Sequence, residues 1–391
     1  MSSQLASRLN LLRVLTRPNL GGPTQQAFAL QRPLEALGVD TLLVVGECRG
    51  GEAAMDPVDH GLEEITFDEA LSEPRRTGFC RLPELGRGLA PRRDWSAYRR
   101  LRALIDTRRP HLVHTHTSKA GALGRWAARR SVVRPKIVHT FHGLVLRDYA
   151  SAPLSDLARR VEKFLARRTD LCLAVSESCR DELAELGVTR KAVVVSPAVP
   201  TRAIQGRAVA RRELGLPVEG VVLGFLGRPA PIKRFECFLE LLESERAREL
   251  SWVGVAAGVR EDEVDSGPPN LRVLGPDPEF ASKIAALDVL VLPSKREGMP
   301  LVAIEAARAG VPVVGFDVPG VRDAVDSTGL GCVVPEQAGV AGLIDGVVRC
   351  LGGRSDQRTA PSQLQEFEPR FTAERLRTLY GDLLDRRPSS S

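Results

Sequence analysis

Short apolar runs alternate with longer amphipathic segments along the whole chain. The first series of apolar runs comprises LLRVLT (11–16), DTLLVV (40–45), HLVHTH (111–116), KIVHTF (136–141), DLCLAVS (170–176) and AVVVSP (192–197). The second series comprises VVLGFLG (221–227), LSWVGVAA (250–257), LRVLG (271–275), DVLVLP (288–293), VPVVGF (311–316) and GCVVP (331–335). Helical patterns lie between the runs, as at 155–168 and 177–186. Because this alternation is typical of βαβ units, the sequence predicts an α/β fold with two doubly wound, Rossmann-like parallel sheets.

The segment between the two series is rich in Pro, Gly and small residues, which predicts a linker with a short helix at 197–220. We therefore place an N-terminal domain at 1–197 and a C-terminal domain at 198–370. In the remaining stretch, 371–391, we expect a helix that packs back on the N-terminal domain and a disordered tail. Ligands bind at the carboxyl ends of such sheets, so we expect the two domains to face each other across a ligand-binding cleft.

Composition narrows the class of protein. Hydrophobic residues make up 43% of the 391 residues and charged residues 27%, the profile of a globular protein. The sequence contains no run of about 18 apolar residues, so we expect no membrane-spanning helix. The N-terminus lacks the pattern of a signal peptide. The seven cysteines form no CxxC pair, which predicts reduced thiols and a cytoplasmic protein.

Basic residues concentrate between Arg92 and Lys136. Such a stretch attracts phosphate or anionic lipid, although a solvated face of an arginine-rich protein fits it equally. We expect a peripheral association with the inner face of the cell membrane. Nucleic acid is not expected as a partner, because aromatic residues are only 5% and none interleave with the arginines. No pattern predicts the oligomeric state.

The motif SKREGMPLVAIEAARAGVPVV, at 294–314, follows a predicted strand and continues as a predicted helix. Gly298 lets a ligand approach the backbone, and Pro300 suits the first helical turn. The amides near the helix start would face an anion. A carboxylate in this region, Glu297 or Glu305, can accept hydrogen bonds from vicinal hydroxyls such as those of a ribose. Two solvated glutamates are an equally weighted alternative.

Two further loops follow predicted strands. FLGRPAPIKRF, at 225–235, places Arg228 and Lys233 on a proline-containing turn, and two cations there suit a diphosphate. RPNLGGPTQQAF, at 17–28, places two glycines before a helix, where backbone amides can reach a phosphate or a sugar. A GxGxxG motif is absent, which argues against a nicotinamide enzyme.

Five of the six histidines lie in HLVHTHTSKAG (111–121) and IVHTFHG (137–143). On a strand, His114 and His116 point to one face, so a zinc site is conceivable. Because no cysteine lies nearby in sequence, we favour buried, hydrogen-bonded or cleft-facing roles and expect no metal. Lys119 lies at a predicted helix start, where it would face an anionic acceptor, the donor, or simply solvent.

Taken together, the order GG, HTHTSKAG, HTFHG, GRxxxxK and EGMPLVAIEA closely resembles the GT-B glycosyltransferases of family 4, from about residue 11 to 335. Members of that family are retaining enzymes that use nucleotide sugars. The resemblance implies a set of donor-binding residues: Gly21, Gly22, Gly275, Ser294, Gly298, Met299, Pro300, Leu301, Val302 and Glu305. It implies catalytic residues at His142, Glu297, Arg228 and Lys233, and acceptor-side residues at His116 and Lys119.

The same resemblance assigns roles. Glu305 would hold the ribose, Glu297 would contact hydroxyls of the donor sugar, and His142 would lie beside the transferred sugar. Arg228 and Lys233 would neutralise the diphosphate without a metal or cofactor, and the chain contains no DxD pair.

One departure from the family pattern is an aspartate in VPGVRDAV (318–325), Asp323, where relatives usually carry GG-x-x-E. The implied function is metal-independent, retaining transfer of a hexose-type sugar, such as an N-acetylhexosamine, from a UDP-sugar. The acceptor would be a hydroxyl of a glycolipid, a polyprenyl-phosphate-linked molecule or a specialised metabolite of bacterial biosynthesis. A UDP-sugar 2-epimerase and a non-catalytic nucleotide-sugar-binding protein remain as alternatives.

Overall fold

The computed structural model describes residues 8–50, 52–143, 152–264, 266–353 and 362–385, so the predicted disordered tail lies outside the described residues. The chain forms two compact units. Unit 1 comprises residues 1–200 and 367–391, and unit 2 comprises residues 201–366. Each unit holds one parallel sheet, and the α/β class with two Rossmann-like units is confirmed.

The strands of unit 1 are β1 Leu9–Leu15, β2 Val39–Val45, β3 Gly78–Arg81, β4 Leu112–His116, β5 Lys136–Phe141, β6 Leu171–Ala174 and β7 Val193–Val194. Those of unit 2 are β8 Val222–Leu226, β9 Val253–Ala257, β10 Leu271–Gly275, β11 Val289–Leu292, β12 Val313–Phe316 and β13 Gly331–Val334. The sheet orders are β3-β2-β1-β4-β5-β6-β7 and β10-β9-β8-β11-β12-β13. In both sheets the strand order therefore reverses at the first strand of the unit.

The helices of unit 1 are α1 Gly22–Ala29, α2 Gln31–Ala36, α3 Phe67–Ser72, α4 Pro91–Arg108, α5 Ser118–Arg130, α6 Ala152–Ala166, α7 Glu177–Glu185 and α15 Pro369–Asp385. Those of unit 2 are α8 Arg207–Glu213, α9 Phe235–Glu243, α10 Glu245–Glu249, α11 Phe280–Lys283, α12 Leu301–Arg308, α13 Val321–Thr328 and α14 Gly339–Gly352. None of the helices in the described ranges combines the length and apolarity needed to cross a bilayer.

Two of the strand assignments differ from the sequence prediction. β3 was missed, because its four residues, GFCR, form an edge strand too short to show a period of two. The predicted run AVVVSP contributes only the two residues of β7, at the opposite edge of the sheet. Edge strands pair on one side only, so their sequences are weakly constrained.

The last helix, α15, belongs to the core of unit 1. Tyr380 is fully buried, and Leu376 and Leu383 pack with Leu11 of β1 and Leu34 of α2. An amphipathic helix gains its stability by burying its apolar face, and here it covers one face of the sheet.

Candidate functional site

The loops at the reversal point of each sheet hold most of the residues singled out by the sequence. In open parallel sheets, ligands bind at the carboxyl ends of the strands where the order reverses. In unit 2 this point lies between β8 and β11, and in unit 1 between β1 and β4. Residues 227–233 follow β8 directly, and residues 293–300 follow β11 directly.

A charged cluster lies at the unit 2 reversal point. The Nζ of Lys233 lies 2.5 Å from Oε1 of Glu297, and the hydroxyl of Ser294 donates to the same oxygen at 2.7 Å. The amide of Lys295 donates to the carbonyl of Ile232 at 2.8 Å, which joins the two loops. These contacts hold the ammonium, the carboxylate and the hydroxyl together.

The loop that carries Glu297 rests on the start of α13. The amide of Glu297 donates to the carbonyl of Pro319 at 2.9 Å. Gly320 has φ 80°, and a Cβ there would lie 2.4 Å from the carbonyl oxygen of Glu297. The carboxylate of Asp323 accepts a hydrogen bond from the amide of Gly320 at 2.9 Å. The aspartate that departs from the family pattern therefore caps α13.

Helix α12 begins at Leu301, and Pro300 precedes it in an extended conformation. The amides of Leu301 and Val302 belong to the first turn, where no intrahelical acceptor exists. These donors and the partly buried Met299 and Gly298 follow the charged cluster directly in the chain. Such a helix start favours negative charge.

Glu305 lies on α12 and is only 8% exposed. Burial raises its pKa, while the positive charges of Arg202 and Arg308 act in the opposite direction. Arg202 also pairs with Glu279, with 2.6 Å between Nη1 and Oε1. Arg202 could not be singled out from sequence, because it lies in the predicted linker and belongs to no motif.

Glycines end three adjacent strands of unit 2. Gly227 (φ 144°), Gly258 (φ 90°) and Gly275 (φ 66°) follow or end β8, β9 and β10. A Cβ at Gly258 would lie 3.0 Å from the backbone of Gly227, so this approach requires glycine. An open depression of about 640 Å³ adjoins this edge, lined by Arg260, Glu261, Asp262, Val273, Leu274 and Gly275. Only Gly275 of the three was singled out from sequence.

In unit 1, His114 of β4 and His139 of β5 are buried and hydrogen-bonded in the core. Nδ1 of His114 lies 2.6 Å from the hydroxyl of Tyr380, and its Nε2 lies 2.7 Å from the hydroxyl of Thr140. Nδ1 of His139 lies 2.8 Å from the hydroxyl of Thr115. In the part of the chain that the structure describes, no group of three or more His, Cys, Asp or Glu is placed to hold a metal ion.

His116 and His142 contact each other at the carboxyl end of this sheet, with 3.1 Å between Nδ1 and Nε2. His116 is buried and its Nε2 has no hydrogen-bond partner among the residues that the structure describes, whereas His142 is partly exposed. Burial lowers the pKa of His142 to about 3, and the charge of Arg13 contributes. Arg13 is 1% exposed and donates to the carbonyl of Ala27 at 2.7 Å. Sequence reasoning missed it, because it lies inside an apolar strand.

The loops after β1 and β4 are also joined. The hydroxyls of Thr16 and Thr117 lie 2.6 Å apart, and the amide of Ala120 donates to Thr16 at 3.0 Å. Gly21 is extended and precedes Gly22, the first residue of α1. A Cβ at Gly21 would lie 3.2 Å from the side chain of Asn19.

The remaining predicted cations have different surroundings. Lys119 is engaged within unit 1, because its Nζ lies 2.5 Å from both Oδ1 of Asp94 and the carbonyl oxygen of Gly88. Arg228 is exposed, next to Gly227.

The basic stretch between Arg92 and Lys136 is not one surface. Several of its cations are neutralised or buried, notably Arg125, which pairs with Glu162 at 2.6 Å, and Arg108, which donates to three backbone carbonyls. A run of charges in the sequence wraps around helices, so its members point in different directions.

Comparison with known proteins identifies the family. Residues 20–203 match the family model described as Glycosyltransferase Family 4, and residues 220–352 match Glycosyl transferases group 1. The D-inositol 3-phosphate glycosyltransferase of Thermobispora bispora is 30% identical over 322 residues, 73% of this chain and 74% of the relative. The chain belongs to glycosyltransferase family 4, as the motifs indicated.

Other relatives match over shorter regions. The UDP-Gal:alpha-D-GlcNAc-diphosphoundecaprenol alpha-1,3-galactosyltransferase of Escherichia coli is 28% identical over 61% of this chain and 66% of its own. The chain spans 59% and 55% of the D-inositol 3-phosphate glycosyltransferases of Kineococcus radiotolerans and Streptomyces bingchenggensis.

Anabaena HepE, solved in complex with UDP-glucose, shares the fold with a TM-score of 0.71 and 17% identity, over 96% of this chain and all of HepE's.

Proposed function

We propose that this protein transfers a hexose-type sugar from a UDP-sugar to an acceptor hydroxyl, with retention of anomeric configuration and without a metal ion. The observation that carries the proposal is the cluster at the unit 2 reversal point. There Lys233, Glu297 and Ser294 are already joined at 2.5 and 2.7 Å, beside the start of α12. A cation, a carboxylate and free helix amides are the groups that a sugar diphosphate requires.

Each part of the donor has a matching feature in unit 2. The buried Glu305 would accept hydrogen bonds from the ribose hydroxyls, and the glycine-lined edge near Gly275 admits a flat base close to the backbone. UDP is favoured because relatives with the SKAG and HTFHG motifs resemble the branch that uses UDP-sugars. The E. coli relative is a UDP-Gal-dependent galactosyltransferase, and HepE was solved in complex with UDP-glucose. N-acetylhexosamines are our first choice for the sugar.

In the proposed reaction the bond between the anomeric carbon and the diphosphate oxygen breaks, and a bond to the acceptor oxygen forms on the same face. The acceptor proton passes to the leaving phosphate oxygen. Arg228, Lys233 and the α12 amides would stabilise the charge that develops on the diphosphate. His142 would stay neutral beside the sugar, because its pKa is lowered to about 3 by burial.

A thermal-shift panel of nucleotide sugars, followed by product analysis, tests this proposal. A true donor at about 100-fold above its Kd adds roughly 2.7 kcal/mol to the free energy of unfolding, which gives a clear rise in Tm. The α-anomer of the product is expected from an α-linked donor, and EDTA is expected to leave turnover unchanged. A product of inverted anomeric configuration would overturn the proposed retention. Loss of turnover in EDTA, restored by added metal, would overturn the proposed metal independence.

The same panel separates the two alternatives. A UDP-sugar 2-epimerase would convert UDP-GlcNAc alone into its C2 epimer without any acceptor. A non-catalytic binding protein would show the rise in Tm but neither hydrolysis nor transfer of the donor. Either result would replace the transferase proposal.

For the acceptor, we propose a lipid-linked molecule at an anionic membrane surface. The supporting observation is the exposed apolar face of α5 and α6, which consists of Trp126, Leu157, Val161 and Phe164, each 38–58% exposed. Two exposed arginines stack on this α5–α6 face: the guanidinium of Arg130 lies 5.0 Å from the ring centre of Trp126, and that of Arg168 lies 3.7 Å from the ring centre of Phe164. Apolar side chains next to cations suit the interface of an anionic bilayer.

Flotation with vesicles tests the acceptor surface separately from the donor site. The full chain is expected to float with phosphatidylglycerol vesicles at low salt and not with phosphatidylcholine vesicles. Phe164→Ser should weaken flotation, whereas Trp95→Ser, at an exposed tryptophan on α4, should not. No preference for anionic vesicles would end the membrane proposal and leave the transferase proposal intact.

A further inference from the structure

Two thiols contact each other in unit 2, away from the charged cluster. The Sγ of Cys332, on β13, lies 3.8 Å from the Sγ of Cys350, on α14. Both residues are partly exposed. They are 18 residues apart in the chain, so neither local helix geometry nor a tight turn brings them together.

The contact depends on how closely α14 approaches the sheet. A Cβ at Gly346 would lie 2.8 Å from Val314, 3.3 Å from Val334 and 3.4 Å from the Sγ of Cys332. The missing side chain therefore lets α14 rest on β12 and β13 with Cys332 beneath it. Cys350 lies one turn further along α14, which brings its thiol against that of Cys332.

The chemistry of this pair differs from that of other cysteines in the chain. Burial raises the pKa of Cys48 and Cys80 to about 11 and that of Cys172 to about 12. The hydrogen bond with Cys350, with a contribution from Arg349, instead lowers the pKa of Cys332 to about 6. A thiolate is the reactive form in disulfide exchange, so Cys332 is the attacking thiol of the pair.

We propose that Cys332 and Cys350 form a reversible disulfide by exchange with a low-molecular-weight disulfide. The Cys332 thiolate attacks one sulfur of the small disulfide, forms a mixed disulfide and releases the first small thiol. Cys350 then attacks the Sγ of Cys332, forms the intramolecular bond and releases the second small thiol. The two protein thiols are oxidised, the small disulfide is reduced by two electrons, and the two protons leave on the released thiols.

The segment that the disulfide would close is also tied to the loop after β8. It contains Glu336, whose carboxylate pairs with Arg234, the residue that follows Lys233. A cross-link between β13 and α14 restricts the unfolded chain and local opening of this segment. The disulfide is therefore expected to raise Tm by several degrees and to slow amide hydrogen exchange in α14.

Peptide mapping of the full chain after incubation with oxidised glutathione tests the proposal. The expected result is one peptide pair joined through Cys332 and Cys350, reversed by a thiol reductant, with a higher Tm before reduction. Cys350→Ser should leave a stable glutathione adduct on Cys332, whereas Cys237→Ser, at another partly exposed cysteine, should not change the map. Recovery of wild-type protein with both thiols reduced, or with separate stable glutathione adducts, would overturn the proposal. Neither result bears on donor binding, so the transferase proposal is tested independently.

Discussion

Among single residues, Glu305 is a carboxylate that is only 8% exposed, on the helix proposed to hold the ribose of the donor. Its pKa is raised because burial disfavours the carboxylate. Above pH 4.5 the folded state therefore binds more protons than the unfolded state, and this glutamate lowers the free energy of unfolding as the pH rises. A residue that lowers the stability of the folded protein is typical of a ligand site.

Glu305→Gln is expected to raise Tm of the ligand-free protein at pH 7 and to weaken donor binding roughly 10- to 100-fold, because a charged hydrogen bond is lost. The gain in stability should be about 1.4 kcal/mol for each unit by which the pKa is raised, and should vanish near pH 4. Differential scanning calorimetry and titration calorimetry measure the two effects. Glu240→Gln, at an exposed glutamate of α9, should change neither. A stabilised variant with undiminished affinity would remove Glu305 from the donor site.

Lys295, in the loop after β11, provides a matched control for Lys233. Lys233→Ala removes the ammonium next to Glu297 and is expected to lower kcat/KM by roughly 10- to 100-fold, the scale of one charged hydrogen bond. Lys295→Ala removes an exposed lysine from the same region and should leave kcat/KM within about twofold, because surface charges contribute little. Equal effects in the two variants would mean that only net charge matters there.

At the scale of elements, the start of α13 contacts the loop that carries Glu297. Gly320→Ala would strain a backbone with φ 80° and press against the carbonyl oxygen of Glu297. We expect lower stability and weaker donor binding, because the carboxylate would be displaced from Lys233 and Ser294. Donor titration and thermal unfolding measure both.

The matched control for that change is Gly329→Ala at the other end of the same helix. Gly329 has φ 62°, but a Cβ there meets nothing within 4 Å. Gly329→Ala should lower the free energy of unfolding by about 1 kcal/mol through backbone strain alone and leave donor affinity unchanged. Were both variants to bind the donor normally, the contact between α13 and the Glu297 loop would not position the site.

For unit 1 as a whole, four buried or partly buried histidines predict sensitivity to acid. Burial lowers the pKa of His114, His116 and His139 well below 6.5, and that of His142 to about 3. The unfolded state therefore binds more protons below pH 6.5, and the free energy of unfolding falls as the pH decreases. Each histidine contributes up to about 1.4 kcal/mol per pH unit.

Denaturant unfolding between pH 5 and 8, monitored by amide exchange in β4 and β5, measures this effect. His139→Asn should reduce the slope with pH by about a quarter of the four-histidine contribution. Stability independent of pH in this range would show that these histidines titrate normally. The proposal that His142 stays neutral beside the sugar would then be wrong.

Much of the site could be predicted, because its residues belong to short motifs that directly follow strands. Ser294, Glu297, Gly298 and Glu305 lie within one loop and one helix, so their relative positions depend on local geometry. Lys233 could be placed beside them only through the resemblance, since it follows a different strand. Arg202 and Arg13 had no local signal, because the first lies in a linker and the second in an apolar strand.

By itself, the sequence determined the class of fold, the family and the loops that carry the chemistry, because hydrophobic periodicity and motif spacing are local properties of the chain. Only the tertiary structure decided which polar groups meet. It paired Lys233 with Glu297, engaged Lys119 with Asp94, and brought Cys332 against Cys350. Contacts of this kind depend on sheet order and on how closely helices pack, and no short stretch of sequence encodes those.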